Sequence, residues 1–115
     1  MKRTLPLAAL VGVLALSTVG AVQPPRPPGK FAIYGQGTQS CGVWAAERRA
    51  DSITSQVMAA WITGWVSAAG CYNTFALKEI DAAAMYAWMD QYCAQNPRND
   101  VSDGTKALVT ALSPK

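Results

Sequence analysis

The side chains in this sequence best suited to chemistry are three cysteines, Cys41, Cys71 and Cys93, alongside seven carboxylates and no histidine. Without histidine, the common nucleophile–base triads and most zinc sites lack their usual members. The cysteines show no Cys-x-x-Cys spacing, and no imidazole is present to activate a thiolate. Asp81, Asp90, Asp100 and Asp103 are spaced like helix caps and solvated helix positions. A two-carboxylate mechanism needs converging acids with separated pKa values, which spacing in sequence does not establish. Ser40, Ser52 and Ser67 have no evident base. The residues therefore predict no catalytic site, no metal site and no cofactor. The cysteines predict a disulfide, and their odd number leaves one thiol over.

Where that disulfide forms is set by targeting. Met1, Lys2 and Arg3 form a positive start, and residues 5–21 are an apolar or small run of about 17 residues. Val19 and Ala21 put small residues at the positions a signal peptidase reads. The run contains Pro6 and two glycines, which makes it short for a membrane span. The reading is a signal peptide over 1–21, cleaved after Ala21, with a periplasmic or secreted product. Removing it takes away Lys2 and Arg3, so the formal charge falls from +3 to eight cations against seven anions, or +1. That leaves no basic stripe for nucleic acid, whose binding rests on many phosphate contacts.

The remaining 94 residues (115 less 21) suffice for one domain. Residues 22–39, with Pro24, Pro25, Pro27 and Pro28 followed by three glycines, read as a flexible lead-in that builds no core. Phe31, Ile33 and Tyr34 are its candidates for pinning back onto the domain. Residues 40–115 read as a helical domain. Ser40 caps a first helix to about Ala50. Asp51 and Ser52 offer a break and a second cap. Helix two follows from Ile53 to about Ala69, with Val57, Trp61 and Trp65 in one row and Met58, Ile62 and Val66 in the next, together a wide core face. Gly70 is placed to stop it in a left-handed conformation. Ala60, Gly64 and Ala68 form a small-residue row that allows close helix approach. Asp81 caps a third helix to about Gln95, with Met85, Trp88, Met89, Tyr92 and Cys93 on its buried stripe. Pro97 interrupts, and Asn99 or Asp100 caps a last helix to about Leu112, with Val101, Leu108 and Leu112 inward. Gly104 weakens that helix by about 1 kcal/mol relative to alanine. The fold class is all-α, a small bundle of about four short helices with one disulfide.

The pairing itself is open on this reading. A Cys41–Cys93 bridge spans 52 residues and a Cys41–Cys71 bridge 30, which chain entropy values at about 4 and 3.6 kcal/mol. Up-down packing slightly favours Cys71 as the partner of Cys41. Cys71–Cys93 is disfavoured, because a helix of about 15 residues holds those ends about 20 Å apart.

The sequence also resembles known proteins. Ser40, Cys41, Gly42, Val43 and Trp44 open the first helix, and residues Ala60 to Ser67 form the apolar second. Residues Tyr92 to Pro97 end the third, and Asp103 to Leu112 follow with Ala107, Leu108 and Val109. Over roughly residues 38–113 this layout resembles small periplasmic acid-stress chaperones of the HdeA/HdeB kind. It also resembles Rap/Tai-type immunity proteins that protect against secreted cell-wall amidases. The resemblance implies a Cys41–Cys93 disulfide and no catalytic residues. Cys71 departs from the pattern, either as a free buried thiol or as a point of intermolecular pairing that would make a homodimer. The implied partners are proteins: unfolded envelope clients for a holdase, or one specific hydrolase for an immunity protein. An envelope protein with a structural role shares the same fold expectations. Trp44, Tyr72 and Phe75 are the candidate partner-binding aromatics, because they lie near helix ends or in the linker. Ordinary core filling is the competing use for each.

Overall fold

Each helix begins where a short polar side chain can satisfy an amide that the first turn leaves without a partner. Ser40 Oγ accepts from the Val43 amide at 3.2 Å, Ser52 Oγ from Ser55 at 3.0 Å, and an Asp81 carboxylate oxygen from Ala84 at 2.7 Å. At the fourth start the Asp100 amide donates to the Asp103 carboxylate at 3.1 Å. The computed structural model describes residues 32–73 and 76–115. It contains α1 (Cys41–Ala50), α2 (Ile53–Tyr72), α3 (Ala82–Gln95) and α4 (Val101–Leu112), preceded by a 3-10 turn at Gly35–Thr38. The fold is therefore all-α among the described residues, with one bridge, Cys41–Cys93. The signal-peptide reading of 1–21, its cleavage point and the prolines of the lead-in lie outside the described residues, as does Phe75.

The amphipathic α4 is the element the others close upon. Val101, Ser102, Gly104, Thr105, Leu108 and Leu112 are all buried, and α4 touches α1, α2, α3 and the 3-10 turn. Around it lie Cys41 and Trp44 from α1, Met58, Ala59, Ile62 and Val66 from α2, and Met89 and Cys93 from α3. The buried hydroxyls turn back on their own helices: Thr105 donates to Val101 O at 2.8 Å and Ser55 to Ser52 O at 2.7 Å. No buried side-chain nitrogen or oxygen among the described residues lacks a partner, as a dry core requires. Between α1 and α4, Ser40 and Asp100 form an isolated antiparallel bridge. Cys41 N donates to Asn99 O and Val101 N to Gln39 O, both at 2.8 Å.

Four sequence expectations change. The slight geometric preference for Cys41–Cys71 is overturned by the observed Cys41–Cys93 bridge, because α1 runs beside α3 and the start of one meets the end of the other. The flexible lead-in ends earlier than residue 39. Trp61 Nε1 donates to Tyr34 O at 3.0 Å, and Gly37 is buried so tightly under Trp61 that a Cβ there would overlap the ring. Gly70 does not stop α2: its φ is not positive, and the helix continues to Tyr72, where the Asn73 amide bonds Ala69 O at 3.0 Å. Glycine permits a left-handed cap but does not impose one. Finally, the Val57 row of α2 is only partly core: Trp61 packs half-buried against the core, but Val57 does not. Val57 is 48% exposed and Ile53 78%, while Ser55, Met58, Ala59, Ile62 and Val66 carry the burial.

Gly104 has a structural use that helix propensity conceals. A Cβ at this position would lie 2.7 Å from Met89 Cε and 2.9 Å from Tyr92 Cδ1, so the glycine lets α3 and α4 approach. Overpacking of a core costs about 1–3 kcal/mol, whereas the propensity gain of alanine is about 1 kcal/mol. Gly104→Ala is therefore expected to lower the urea midpoint, by up to about 2 kcal/mol in stability. A raised midpoint would show that the contact yields freely.

Candidate protein-binding surface

Two arrangements on the described surface stand out chemically: a polar clamp between α1 and α3, and an uncharged outward face on α2. The clamp follows from the disulfide. With Cys41 bonded to Cys93 and their Cα atoms 4.8 Å apart, α1 and α3 run antiparallel. One turn along α1 is Trp44 and one turn back along α3 is Asp90. Trp44 is fully buried, and its Nε1 donates to Asp90 Oδ1 at 2.8 Å. One further turn along, Arg48 grips the same carboxylate through Nε at 3.1 Å and Nη2 at 2.9 Å. The Arg48 guanidinium also lies over the rings of Trp44, at 5.3 Å, and Tyr86, at 5.8 Å. The hydrogen bond to Asp90 is the main cause that holds the Arg48 guanidinium above its ordinary pKa, with burial opposing it. Both oxygens of Asp90 thus take part in the tie between α1 and α3.

The second arrangement is a helix face with no other element upon it among the described residues. The α2 sequence carries no charged residue over its 20 positions. At 100° per residue, Ile53, Val57, Ala60, Gly64, Ala68 and Cys71 fall on one outward stripe, and all six are exposed. A Cβ built on Gly64 would meet nothing within 4 Å. Along one edge Trp61 and Trp65 stack with centroids 5.2 Å apart. At the end, Trp65, Ala68, Ala69 and Tyr72 line a largely apolar hollow of about 480 Å³. Scattered surface apolar residues are ordinary; here six exposed uncharged residues lie in one stripe.

The sequence-predicted residues divide accordingly. Trp44 is corrected from partner anchor to core: it is 0% exposed, sealed by the disulfide end of α1 and hydrogen-bonded inward. Tyr72 is 86% exposed at the tip of the α2 face. Cys71 is a free thiol and exposed, not buried. Asp90 was read as a solvated helix position and is instead the acceptor of the clamp. Its signal emerges once the cysteine pairing is fixed, because positions three residues inward from each cysteine then face each other. Among the described residues, no group of three or more His, Cys, Asp or Glu is placed to hold a metal ion.

Comparison with known protein families, with characterised proteins and with solved structures finds no match to this chain. The resemblance to the HdeA/HdeB and Rap/Tai proteins thus rests on the residues that carry it.

Two predictions follow from the polar contacts. Asp90→Ala leaves the buried Trp44 N–H without an acceptor, a loss of about 1–3 kcal/mol. Asp90→Asn retains that acceptor and forfeits a half-exposed ion pair, a loss of about 0.2–1 kcal/mol. Urea titration should rank the two variants in that order, and equal losses would deny the Trp44 bond its importance. At α4, Asp103 is held below the ordinary aspartate range, first by its hydrogen bond from Lys106 and then by the Asp100 amide. A carboxylate lowered in the folded state adds stability above its unfolded pKa and loses it as pH falls through the folded value. Asp103→Asn should therefore flatten the acid decline of stability, by a modest amount because the pair is solvent-exposed. An unchanged slope in a pH series of urea midpoints would count against the cap.

Proposed function

We propose that this chain is an exported, non-enzymatic protein-binding protein, and that it serves as a stress holdase of the HdeA-like kind. The observation that carries this reading is the α2 face, 20 residues without a charge, with Ile53, Val57 and Tyr72 in solvent. Such a face offers unfolded chains apolar area and aromatic contact without a demand for sequence. The disulfide supports a periplasmic or secreted setting, where such bonds persist. No helix among the described residues is long and apolar enough to cross a membrane. Acid acts on this structure through its carboxylates. The Asp103 carboxylate, held below the ordinary aspartate range by Lys106, contributes stability that is lost as pH falls through its folded value, which loosens the start of α4.

A second reading is favoured by one specific feature. Tyr72, 86% exposed beside an apolar hollow, has the form of a single aromatic anchor, the element that dominates the centre of a specific interface. A Rap/Tai-like inhibitor of a secreted cell-wall amidase would use it so. A structural envelope role shares the fold without using this face.

The test is light scattering from an aggregating client at about pH 2–3, with and without the protein. The chain should suppress scattering, and Val57→Glu with Tyr72→Ser should remove most of that suppression. No suppression by the native chain would eliminate the holdase reading. Recovery of a single hydrolase in a pull-down that depends on Tyr72 would establish the inhibitor instead.

A further inference from the structure

We propose that residues 32–39 form an autoinhibitory strap, the chain's own occupant of a peptide-binding groove beside Trp61, which uncharged, glycine-containing stretches of an unfolded client displace. The purpose of the groove rests on the holdase reading, but its existence is tested without a client.

The strap itself shows what the groove accepts. Its 3-10 turn, Gly35–Thr38, lies against α2 and α4. Tyr34 O accepts from Trp61 Nε1 at 3.0 Å. Gly37 is buried beneath the indole, where a Cβ would overlap Trp61 Cζ2 and Cη2 and lie 2.7 Å from Ile33 Cγ2. Recognition is thus by a backbone carbonyl facing the indole N–H and by a residue without a side chain under the ring. Neither the turn nor α2 carries a charge. A charged segment would lose hydration there and gain no partner from either.

The hold of the strap is light at one end and firm at the other. Gly37 is the buried residue of the turn, and glycine brings no side-chain apolar area out of water. Tyr34 is 60% exposed. Its carbonyl meets Trp61 at an exposed position, where water competes and the net gain is small. Segments held in this way open locally while the rest of the fold stays closed. At the other end, Val101 N donates to Gln39 O and Cys41 N to Asn99 O, both at 2.8 Å, beside the Cys41–Cys93 bond. Opening therefore hinges at Gln39 and leaves the helices joined.

Opening matters because of what it uncovers. The Trp61 ring stacks on Trp65 with centroids 5.2 Å apart. Trp65 in turn lines the apolar hollow with Ala68, Ala69 and Tyr72. With the strap lifted, both rings add large apolar area with a polar handle to that surface. While the strap is in place, its tether gives it a high effective concentration. A segment of another chain then binds only in the fraction of molecules whose strap is out.

The probe is a fluorescent peptide with the strap's own sequence, residues 32–39, added to the purified full chain. Two variants lift the strap without altering a helix. Gly37→Leu leaves the indole no room, and Ile33→Asp puts a charge on a half-buried side chain. Circular dichroism should be unchanged in both, and iodide should quench tryptophan fluorescence more strongly. The peptide should bind both variants about tenfold or more tighter than it binds the native chain. A peptide carrying Gly37→Leu should bind none of the three. Equal peptide affinity for the native chain and both variants would overturn the proposal, as would tight binding of the Gly37→Leu peptide. A two-chain mass for the native protein in light scattering would also overturn it, since the strap would then be exchanged between copies. Client suppression is read separately at neutral pH, where both variants should exceed the native chain. Tighter peptide binding without that gain would support the groove and count against the holdase reading alone.

Discussion

The Cys41–Cys93 bond joins the first turn of α1 to the last turn of α3 and so fixes how the two helices lie against each other. From that point the contacts follow by helical repeat. Trp44 meets Asp90 one turn in, and Arg48 meets Asp90 and Tyr86 one turn further. The same end of the molecule carries the bridge between Ser40 and Asp100, which delivers α4 into the groove between its neighbours. A domain of this length buries a limited fraction of its surface, and a covalent loop of 52 residues removes about 4 kcal/mol of unfolded-chain entropy. The crosslink stabilises the bundle and aligns it at once.

That arrangement decides what α2 exposes. With α4 central, α2 needs only one side to complete the core, and it supplies Met58, Ala59, Ile62 and Val66. The 3-10 turn covers part of its flank through Trp61 and Gly37. The opposite side has no neighbour among the described residues, yet it carries no charge, whereas a solvated helix face ordinarily does. An apolar face retained in solvent by a folded domain is the physical basis for the reading of a protein-binding protein.

The helices were legible from caps and breaks. Ser40, Ser52, Asp81 and Asp100 start them where their side chains predict, and Asp51 in a left-handed conformation (φ 47°) ends α1. The orientation of α2 was not legible, because both of its sides are apolar and periodicity alone cannot say which one a neighbour covers. Trp44 was misplaced for a related reason: its position near a helix end suggested exposure, whereas the disulfide draws that end inward. Gly104 looked like a weak point and Gly37 like part of a flexible lead-in, yet both are close approaches, a distinction that only the facing side chains reveal. Asp90 could be assigned only after the cysteine partners were known. The resemblance implied the observed pairing, whereas simple packing had leaned toward the other.

The account stands on which two sulfurs are joined. Proteolysis of the purified chain without reduction, with alkylation of free thiols and peptide mass mapping, measures this directly. The expected result is one linked pair of peptides containing Cys41 and Cys93, with Cys71 alkylated. A linked Cys41–Cys71 pair would contradict it, since α1 would then be tethered to the end of α2 and neither the Trp44–Asp90 contact nor the free α2 face would follow.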